Sequence, residues 1–337
     1  MTSSTQGMDR QKVEAYIAKV KAVREEISKV IVGQQEVIER LLISIFAGGH
    51  CLMVGVPGLA KTLMVSTLSQ VLDLKYKRVQ FTPDLMPGDI TGSEVLEQRP
   101  DGTKAFRFIE GPLFANMILA DEINRTPPKT QSALLEAMQE HRVTIGNKTY
   151  PLPEPFFVLA TQNPIEQEGT YALPEAQQDR FMFFLVVDYP ELEEEVQVLS
   201  QTTVNRSVKL QPILNVADIM ALNQIVREVP ISEPLVRYAA NIVRCSRNQR
   251  GKEGEASIPD FIRKYLQWGA GPRAGQYLIL GAKARALLNG HTHVAAEDIR
   301  AVARAVLQHR IIVNFAAQAD GITSDRLIEM ILERVKE

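Results

Sequence analysis

The sequence predicts an α/β protein with a mostly parallel sheet covered by helices, followed by an all-helical second domain. Three observations lead to this prediction. Short apolar runs alternate with helical patterns up to Pro190, a glycine-rich loop joins one run to a helix, and amphipathic helical patterns dominate afterwards. With 337 residues the chain can bury two cores, and we predict domains at 1–190 and 191–337.

In the first domain, each predicted element follows from its periodicity and its end signals. Gly33 ends the first helical pattern, while Thr126 as cap and Pro127 as first helical residue mark the start of another. The predicted helices are 9–32, 34–47, 60–71, 127–140 and 174–179, and the predicted strands are 51–54, 75–81, 117–121, 156–161 and 182–187.

Two further segments, 93–110 and 142–150, are predicted to form inserted β-hairpins. Their turns are expected at Pro100-Asp101-Gly102 and Gly146-Asn147. After Pro190 the predicted helices are 191–201, 216–227, 232–246, 259–267, 273–289, 296–308 and 324–336, with a polar loop at 248–257. The second domain is therefore predicted to be helical.

Charge and cysteine content limit the classes of function. Acidic and basic residues nearly balance, 40 against 38, so the overall charge does not favour binding to a nucleic acid. The two cysteines, Cys51 and Cys245, are far apart, which is typical of a reducing compartment and predicts a cytoplasmic protein. The uncharged stretch 41–60 contains glycines and a proline, and the N-terminus is polar, so we expect neither a membrane span nor a signal peptide.

A phosphate-binding loop follows the strand 51–54. It comprises Gly55, Val56, Pro57, Gly58, Leu59, Ala60, Lys61 and Thr62, and Leu63 continues into the next helix. Backbone N–H groups of such a loop converge on phosphates, Lys61 neutralises their charge and Thr62 ligates Mg²⁺. The usual pattern has Gly at the position of Ala60, whose Cβ can narrow the loop.

Polar residues follow two further predicted strands. Asp121 and Glu122 end the apolar run 117–121, where Asp121 would hold hydrated Mg²⁺ and Glu122 would activate the attacking water. Asn163 follows the strand 156–161 and is expected at the same sheet edge. There it could sense the γ-phosphate or position the water, or it could occupy a plain turn before Pro164.

These motifs, taken together and in this order, resemble those of the AAA+ ATPases, and most closely those of the MoxR branch. The resemblance extends over about residues 10–337 and rests on the segments 32–34, 55–62, 81–84, 121–125, 160–164, 173–177, 179–181 and 271–274. It implies a phosphate-loop AAA+ core with a helical lid, ATP and Mg²⁺ as cofactors, and hydrolysis at the subunit interfaces of a ring, usually a hexamer.

The resemblance also implies roles for individual residues. Arg180 would be an arginine finger acting on a neighbouring subunit, with Arg125 as rival and an ion pair with Asp179 or Glu175 as the alternative. Arg273 would contact the phosphates of its own subunit as a second sensor. Two predictions concern other parts of the nucleotide site: Ile31 and Val32 would flank the adenine, and Gln80 would restrain Glu122 until a partner binds.

Several functions remain open at this stage. The resemblance favours chaperone-like remodelling of a protein client, often with a von Willebrand factor A domain partner, and the exposed residues Arg107, Lys148 and Tyr150 of the hairpins are candidate client contacts. A helicase-type nucleic-acid motor and a magnesium-chelatase-like motor subunit are the alternatives. A nucleotide-gated scaffold that barely hydrolyses ATP is disfavoured because Glu122 and Arg180 are both present. A metabolic kinase is disfavoured because a helical domain carrying Arg273 after the sheet suits the lid of a ring ATPase better than a pocket for a small substrate.

Overall fold

The computed structural model describes residues 10–98, 100, 103–165, 169–204, 208–247 and 258–337. Its eleven strands are β1 (Cys51–Val54), β2 (Tyr76–Gln80), β3 (Gly92–Gln98), β4 (Lys104–Glu110), β5 (Met117–Asp121), β6 (Arg142–Ile145), β7 (Lys148–Pro151), β8 (Phe157–Gln162), β9 (Phe183–Val186), β10 (Leu266–Trp268) and β11 (Ile312–Val313). Five of them form a central parallel sheet in the order β2-β5-β8-β1-β9.

Helices cover this sheet and make up most of the C-terminal part. They are α1 (Arg10–Ser28), α2 (Gln35–Ala47), α3 (Lys61–Val71), α4 (Pro87–Thr91), α5 (Pro128–Glu140), α6 (Glu175–Gln178), α7 (Leu192–Thr202), α8 (Val216–Glu228), α9 (Glu233–Cys245), α10 (Asp260–Tyr265), α11 (Pro272–Leu288), α12 (Ala296–Leu307), α13 (Phe315–Ala319) and α14 (Ser324–Arg334). The α/β class and all five predicted sheet strands are confirmed.

The sheet is buried on both faces, which explains why its strands are almost continuously apolar. Alternate residues of β5 illustrate this: Met117 and Leu119 join one apolar cluster, whereas Ile118 and Ala120 join another. The first cluster also includes α1–α3, α8–α12 and α14, while the second contains α5 and the base of the hairpins. The predicted boundary at residue 190 stays a prediction, because the first cluster is continuous across it.

The start of α5 differs from the prediction. The helix begins at Pro128, and Pro127 precedes it with an extended ψ of 153°, because a residue before proline avoids the helical conformation. Thr126 does not cap the helix. Its hydroxyl donates instead to the carbonyl oxygen of Leu85 at 3.4 Å.

Both predicted hairpins are present as antiparallel pairs, β3 with β4 and β6 with β7. Gly146 and Asn147 form the second turn, whereas residues 101 and 102 of the first lie outside the described part. Tyr150 does not project freely, since its ring stacks on Phe108 with centroids 4.1 Å apart and so ties the hairpins together. Arg107 and Lys148 are exposed, as predicted.

Five short elements were not predicted: α4, a 3₁₀ helix at Ile123–Arg125, α13 and the paired strands β10 and β11. Each has only two to five residues, too few to show a periodicity. The predicted polar loop 248–257 lies outside the described residues. Within the part of the chain that is described, no helix is long and apolar enough to cross a bilayer.

Candidate active site

The phosphate loop and the polar residues that follow the strands meet at one edge of the sheet because its strands are parallel. The phosphate loop 55–62 follows β1, Asp121 ends β5, Gln80 ends β2 and Asn163 follows β8. All four positions are at carboxyl ends of strands, where ligands bind in open α/β sheets. The sequence prediction that these side chains share an edge agrees with this topology.

The path of the phosphate loop depends on its first glycine. A Cβ on Gly55 would lie 2.6 Å from the carbonyl oxygen of Val187, which follows the neighbouring strand β9. Gly55 therefore lets the loop pass close to the end of that strand. Gly58 has a φ of 89°, a conformation that residues with a Cβ rarely adopt.

Ala60 affects the loop through its backbone. Its side chain is exposed, and its φ of 54° lies in the left-handed region. That conformation costs an L-residue about 1–2 kcal/mol, which explains why glycine is usual at this position. The following N–H groups begin α3 and lack acceptors within the helix, so they are available to an anion.

Lys61 is held at the mouth of the loop. Its ammonium group donates to the carbonyl oxygen of Gly55, and it is half-buried. Burial lowers the pKa of Lys61, while the negative charges of Asp121 and Glu122 oppose that shift. Thr62 is the next residue on the first turn of α3. Lys61 and Thr62 thus lie on the same edge as the two carboxylates.

Thr161, on the buried strand β8, holds the two acidic residues in place. Its hydroxyl donates to Oδ1 of Asp121 at 2.6 Å and accepts a hydrogen bond from the backbone N–H of Glu122 at 2.9 Å. Glu122 has a φ of 57°, a left-handed backbone conformation that is costly outside glycine and typical of functional sites. Sequence reasoning assigned Thr161 no role, because only the pairing of β8 with β5 brings it to Asp121.

One neutral and one cationic side chain hydrogen-bond to the Glu122 carboxylate. Gln80 donates from Nε2 to Oε2 of Glu122 at 2.8 Å, and Arg125 contacts the same oxygen at 3.0 Å. Arg78, on the same face of β2 as Gln80, donates to the Gln80 amide oxygen at 2.9 Å and to Oδ2 of Asp121 at 2.7 Å. Arg78 thereby turns the amide nitrogen of Gln80 towards Glu122. No motif in the sequence marks Arg78.

Asn163 and the Ile31–Val32 segment are also at this edge. The buried Asn163 follows β8, and its side-chain oxygen accepts from the backbone N–H of Ile165 at 3.1 Å. Ile31 and Val32 line a cleft of about 400 Å³. Gln34 links this segment to β9, since its amide donates to the carbonyl oxygen of Asp188 at 3.0 Å. The segment therefore lies on the β9 side of the phosphate loop.

Arg180 lies at the other edge of the sheet. It precedes β9, and the backbone N–H of Met182 donates at 2.7 Å to the carbonyl oxygen of His50, which precedes β1. The four residues of β1, ~13 Å in length, therefore separate the backbone around Arg180 from the phosphate loop. The half-buried Arg180 donates to Oε1 of Gln139 at 3.0 Å, and no ion pair within the described ranges includes it. The alternative of a pair with Asp179 or Glu175 is not observed.

Arg273 is beside Arg180 and not beside the phosphates of its own chain. As the second residue of α11 it pairs with Oδ2 of Asp179 at 2.8 Å, at the amino-terminal edge of the sheet. This position differs from the prediction that Arg273 contacts the phosphates bound by its own subunit. Sequence shows that Arg273 begins a helix, but not which edge of the sheet that helix approaches.

A buried arginine, Arg310, fixes the segment that carries Arg180. It donates to Oδ1 of Asp179 at 2.7 Å and to the carbonyl oxygens of Asp179 and Phe181 at 2.8 and 2.6 Å. Burial lowers the pKa of Arg310, and Asp179 opposes the shift. Because Arg310 and Arg273 both belong to the C-terminal helical part, that part positions the segment next to Arg180.

Comparison with known proteins assigns the chain to the family that its sequence motifs resemble. The profile of the ATPase family associated with various cellular activities (AAA) matches residues 50–183, and that of the AAA lid domain matches residues 261–331. Chaperone MoxR1 of Mycobacterium tuberculosis is 42% identical over 310 residues, which cover 92% of this chain and 80% of that protein. The chain belongs to the MoxR family of AAA+ ATPases.

Other members of the MoxR family and a solved structure are similar over almost the whole chain. Protein MoxR of Paracoccus denitrificans is 30% identical over 314 residues, covering 90% of this chain and 91% of that protein. A crystal structure from Cytophaga hutchinsonii, provisionally described as that of an ATPase, has 46% identity, a TM-score of 0.88 and 97% coverage of both chains. This MoxR-family protein is therefore an ATP-hydrolysing enzyme.

Proposed function

We propose that this MoxR-family ATPase hydrolyses ATP with Mg²⁺ at the interfaces of a ring, a hexamer as in most AAA+ assemblies. Each site would combine the phosphate loop of one subunit with Arg180 of the next. The observation that carries this proposal is the position of Arg180, on the sheet edge opposite the phosphate loop. The backbone that carries it is separated from its own loop by the length of β1, ~13 Å.

The residues at the carboxyl edge fit a magnesium nucleotide. The hydroxyl of Thr62 and the carboxylate of Asp121 are hard oxygen ligands of the kind that Mg²⁺ prefers, and few protein ligands suffice because phosphates supply others. In the described ranges no cluster of three or more His, Cys, Asp or Glu side chains could hold a metal, which suits a site completed by nucleotide. The bound ion would supply charge neutralisation at the phosphates.

The chain's own residues then have distinct tasks. Lys61 and the first N–H groups of α3 bind phosphate oxygens, and the Glu122 carboxylate accepts a proton from the attacking water. Asn163 would contact the γ-phosphate or the water, and Ile31 and Val32 would flank the adenine. Arg180 and Arg273 of the neighbouring subunit would stabilise charge that develops on the phosphoryl oxygens.

We propose chaperone-like remodelling of a protein client as the use of this hydrolysis. The similarity to Chaperone MoxR1 supports it, and resemblance to the MoxR branch suggests a partner with a von Willebrand factor A domain. The exposed hairpin residues Arg107 and Lys148 remain candidate client contacts. A cytoplasmic location is proposed from the two unpaired thiols, Cys51 and Cys245.

Dependence of turnover on protein concentration tests the shared site. If Arg180 must come from a neighbour, the ATP turnover per chain should rise with chain concentration and level off once assembly is complete. Turnover should be measured over roughly a hundredfold range of concentration with excess MgATP, with molecular mass followed in parallel by light scattering. A constant turnover per chain from a protein that remains monomeric would overturn the proposal. A Lys61→Ala protein measures the background.

Replacing Gln80 by alanine tests the restraint on Glu122. Loss of the 2.8 Å hydrogen bond should raise basal ATP turnover severalfold, with Arg125 still holding the carboxylate partly in place. Lys77→Ala is a matched control, because Lys77 is exposed on the same strand but alternates to the other face. Equal basal rates for Gln80→Ala and the unaltered protein would show that the contact does not restrain Glu122.

A further inference from the structure

The helix α7 exposes an apolar stripe. Leu192, Val196 and Leu199 are 71%, 52% and 57% exposed, and their spacing places them on one side of the helix. In the described part of the chain, α7 contains no buried residue at all. Short helices in proteins owe most of their stability to burial of an apolar face, so this helix lacks the packing that normally supports one.

The stripe is part of a larger exposed apolar segment. Six of the seventeen exposed large hydrophobic residues in the described ranges fall between residues 186 and 204. They are Val186, Tyr189, Leu192, Val196, Leu199 and Val204. We name this segment the α7 face. A concentration of exposed apolar side chains of this kind is typical of an interaction site.

The opposite side of α7 contacts the nucleotide edge of its own chain. Glu194 is turned by about 200° from Leu192, and a Cβ on Gly33 would lie 2.4 Å from the Glu194 carboxylate carbon. Gln197 lines the same cleft as Ile31 and Val32. The α7 face therefore points away from its own subunit at the carboxyl edge of the sheet.

A second apolar feature is located at the opposite edge, beside Arg180. A cleft of about 490 Å³ there is lined by Asp179, Trp268, Arg310 and Ile312 among others. The Trp268 side chain is 68% exposed, and Phe315, three residues after Ile312, is 83% exposed. We name this feature the Trp268 cleft.

The two features differ in charge. Residues 186–204 contain five carboxylates and no lysine or arginine. The Trp268 cleft is lined by both signs, since Glu175 and Asp179 stand beside Arg310, which pairs with Asp179. Repulsion between like charges disfavours self-pairing of the α7 face, so a second copy has to meet it with a different surface.

We propose that the α7 face of one subunit docks on the Trp268 cleft of a second copy of this chain. The inference rests on the proposed function, because Arg180 can reach a neighbour's phosphate loop only if the amino edge of one subunit meets the carboxyl edge of the next. In that head-to-tail contact the Trp268 cleft, next to Arg180, faces the α7 face, next to the nucleotide. The docked helix joins the adenine cleft of one subunit to the C-terminal helices of its neighbour.

A pair of charge-introducing substitutions tests the docking. Leu192→Asp with Val196→Asp should raise the concentration at which rings form by at least about tenfold, measured by sedimentation with a non-hydrolysable ATP analogue. Phe106→Asp is the matched control, since Phe106 is 66% exposed on β4, away from both features, and its rings should form as usual. Unchanged circular dichroism and melting temperature of the double variant would show that the fold is intact.

Site-directed crosslinking identifies the occupant. A photoreactive benzoylphenylalanine in place of Val196 should crosslink, in a mixture with isotope-labelled chains, to a labelled peptide that contains Trp268 or Phe315. Crosslinks confined to the same chain or to other peptides of the second copy, or normal assembly of the double variant, would overturn the inference. Failure of the proposed function would give a different result from failure of the docking inference, because the unaltered protein itself would then form no rings.

Discussion

Replacing Arg180 by alanine is expected to lower ATP turnover by roughly a thousandfold or more, the usual effect of losing an arginine finger. The side chain is half-buried, donates only to the Gln139 amide oxygen among its described hydrogen bonds, and lies at the opposite sheet edge from its own phosphate loop. Nucleotide binding to the variant should change little, because no group of its own loop is altered. Turnover and binding of a fluorescent ATP analogue provide the two readouts.

Arg142→Ala is a suitable control for the Arg180 variant, since Arg142 likewise hydrogen-bonds a neighbouring side chain, donating to Oε2 of Glu140 at 3.0 Å. Its turnover should stay near that of the unaltered enzyme. A comparable loss in both variants would point to a general structural effect. A loss of nucleotide binding in the Arg180 variant would place this residue in the pocket of its own chain.

Glu122→Gln is expected to lower turnover by about a hundredfold to ten-thousandfold, the range for removal of a general base, while binding and assembly persist. Glutamine keeps the shape and an acceptor oxygen for Arg125, but it cannot take a proton from water. The chemical step and nucleotide affinity should be measured separately by single-turnover kinetics and equilibrium binding.

The exposed Glu136 on α5 offers a control for the Glu122 variant, because Glu136→Gln makes the same chemical change away from the site. Only Glu122→Gln should slow the chemical step. Turnover of Glu122→Gln within a factor of about three of normal would assign the base to another group.

Local patterns sufficed to predict the sheet strands and the residues at their carboxyl ends. The strand β5 is one apolar run ending in Asp121 and Glu122, and the phosphate loop joins a strand to a helix without interruption. Since parallel strands align their carboxyl ends, the topology then brings these residues together without further information.

Contacts between distant parts of the chain could not be predicted in the same way. Arg310 and Asp179 are 131 positions apart, and nothing in the sequence around either residue marks their ion pair. Thr161 resembles any residue near the end of a strand until the register of β8 against β5 places it beside Asp121. Arg273 was assigned to the wrong edge of the sheet for the same reason, because helix packing decides where α11 begins.

The grouping around Asp179 offers a physical link between the C-terminal helices and catalysis. Asp179 accepts hydrogen bonds from Arg273 and Arg310, and it immediately precedes Arg180. A movement of these helices would therefore move the backbone that carries Arg180. If Arg180 acts on the neighbouring subunit as proposed, such a movement would alter hydrolysis in that subunit.

Mixing two inactive variants tests the shared active site most directly. Lys61→Ala chains keep Arg180 but lack a working phosphate loop, and Arg180→Ala chains keep the loop, so mixed rings should regain a fraction of normal ATP turnover. A mixture of Lys61→Ala with Glu122→Gln should not recover, because both residues belong to the carboxyl edge of their own chain and no interface then combines an intact pocket with Arg180. Recovery only in the first mixture is the predicted result. If the first mixture stays inactive although light scattering shows that its chains co-assemble, Arg180 does not complete a neighbour's site.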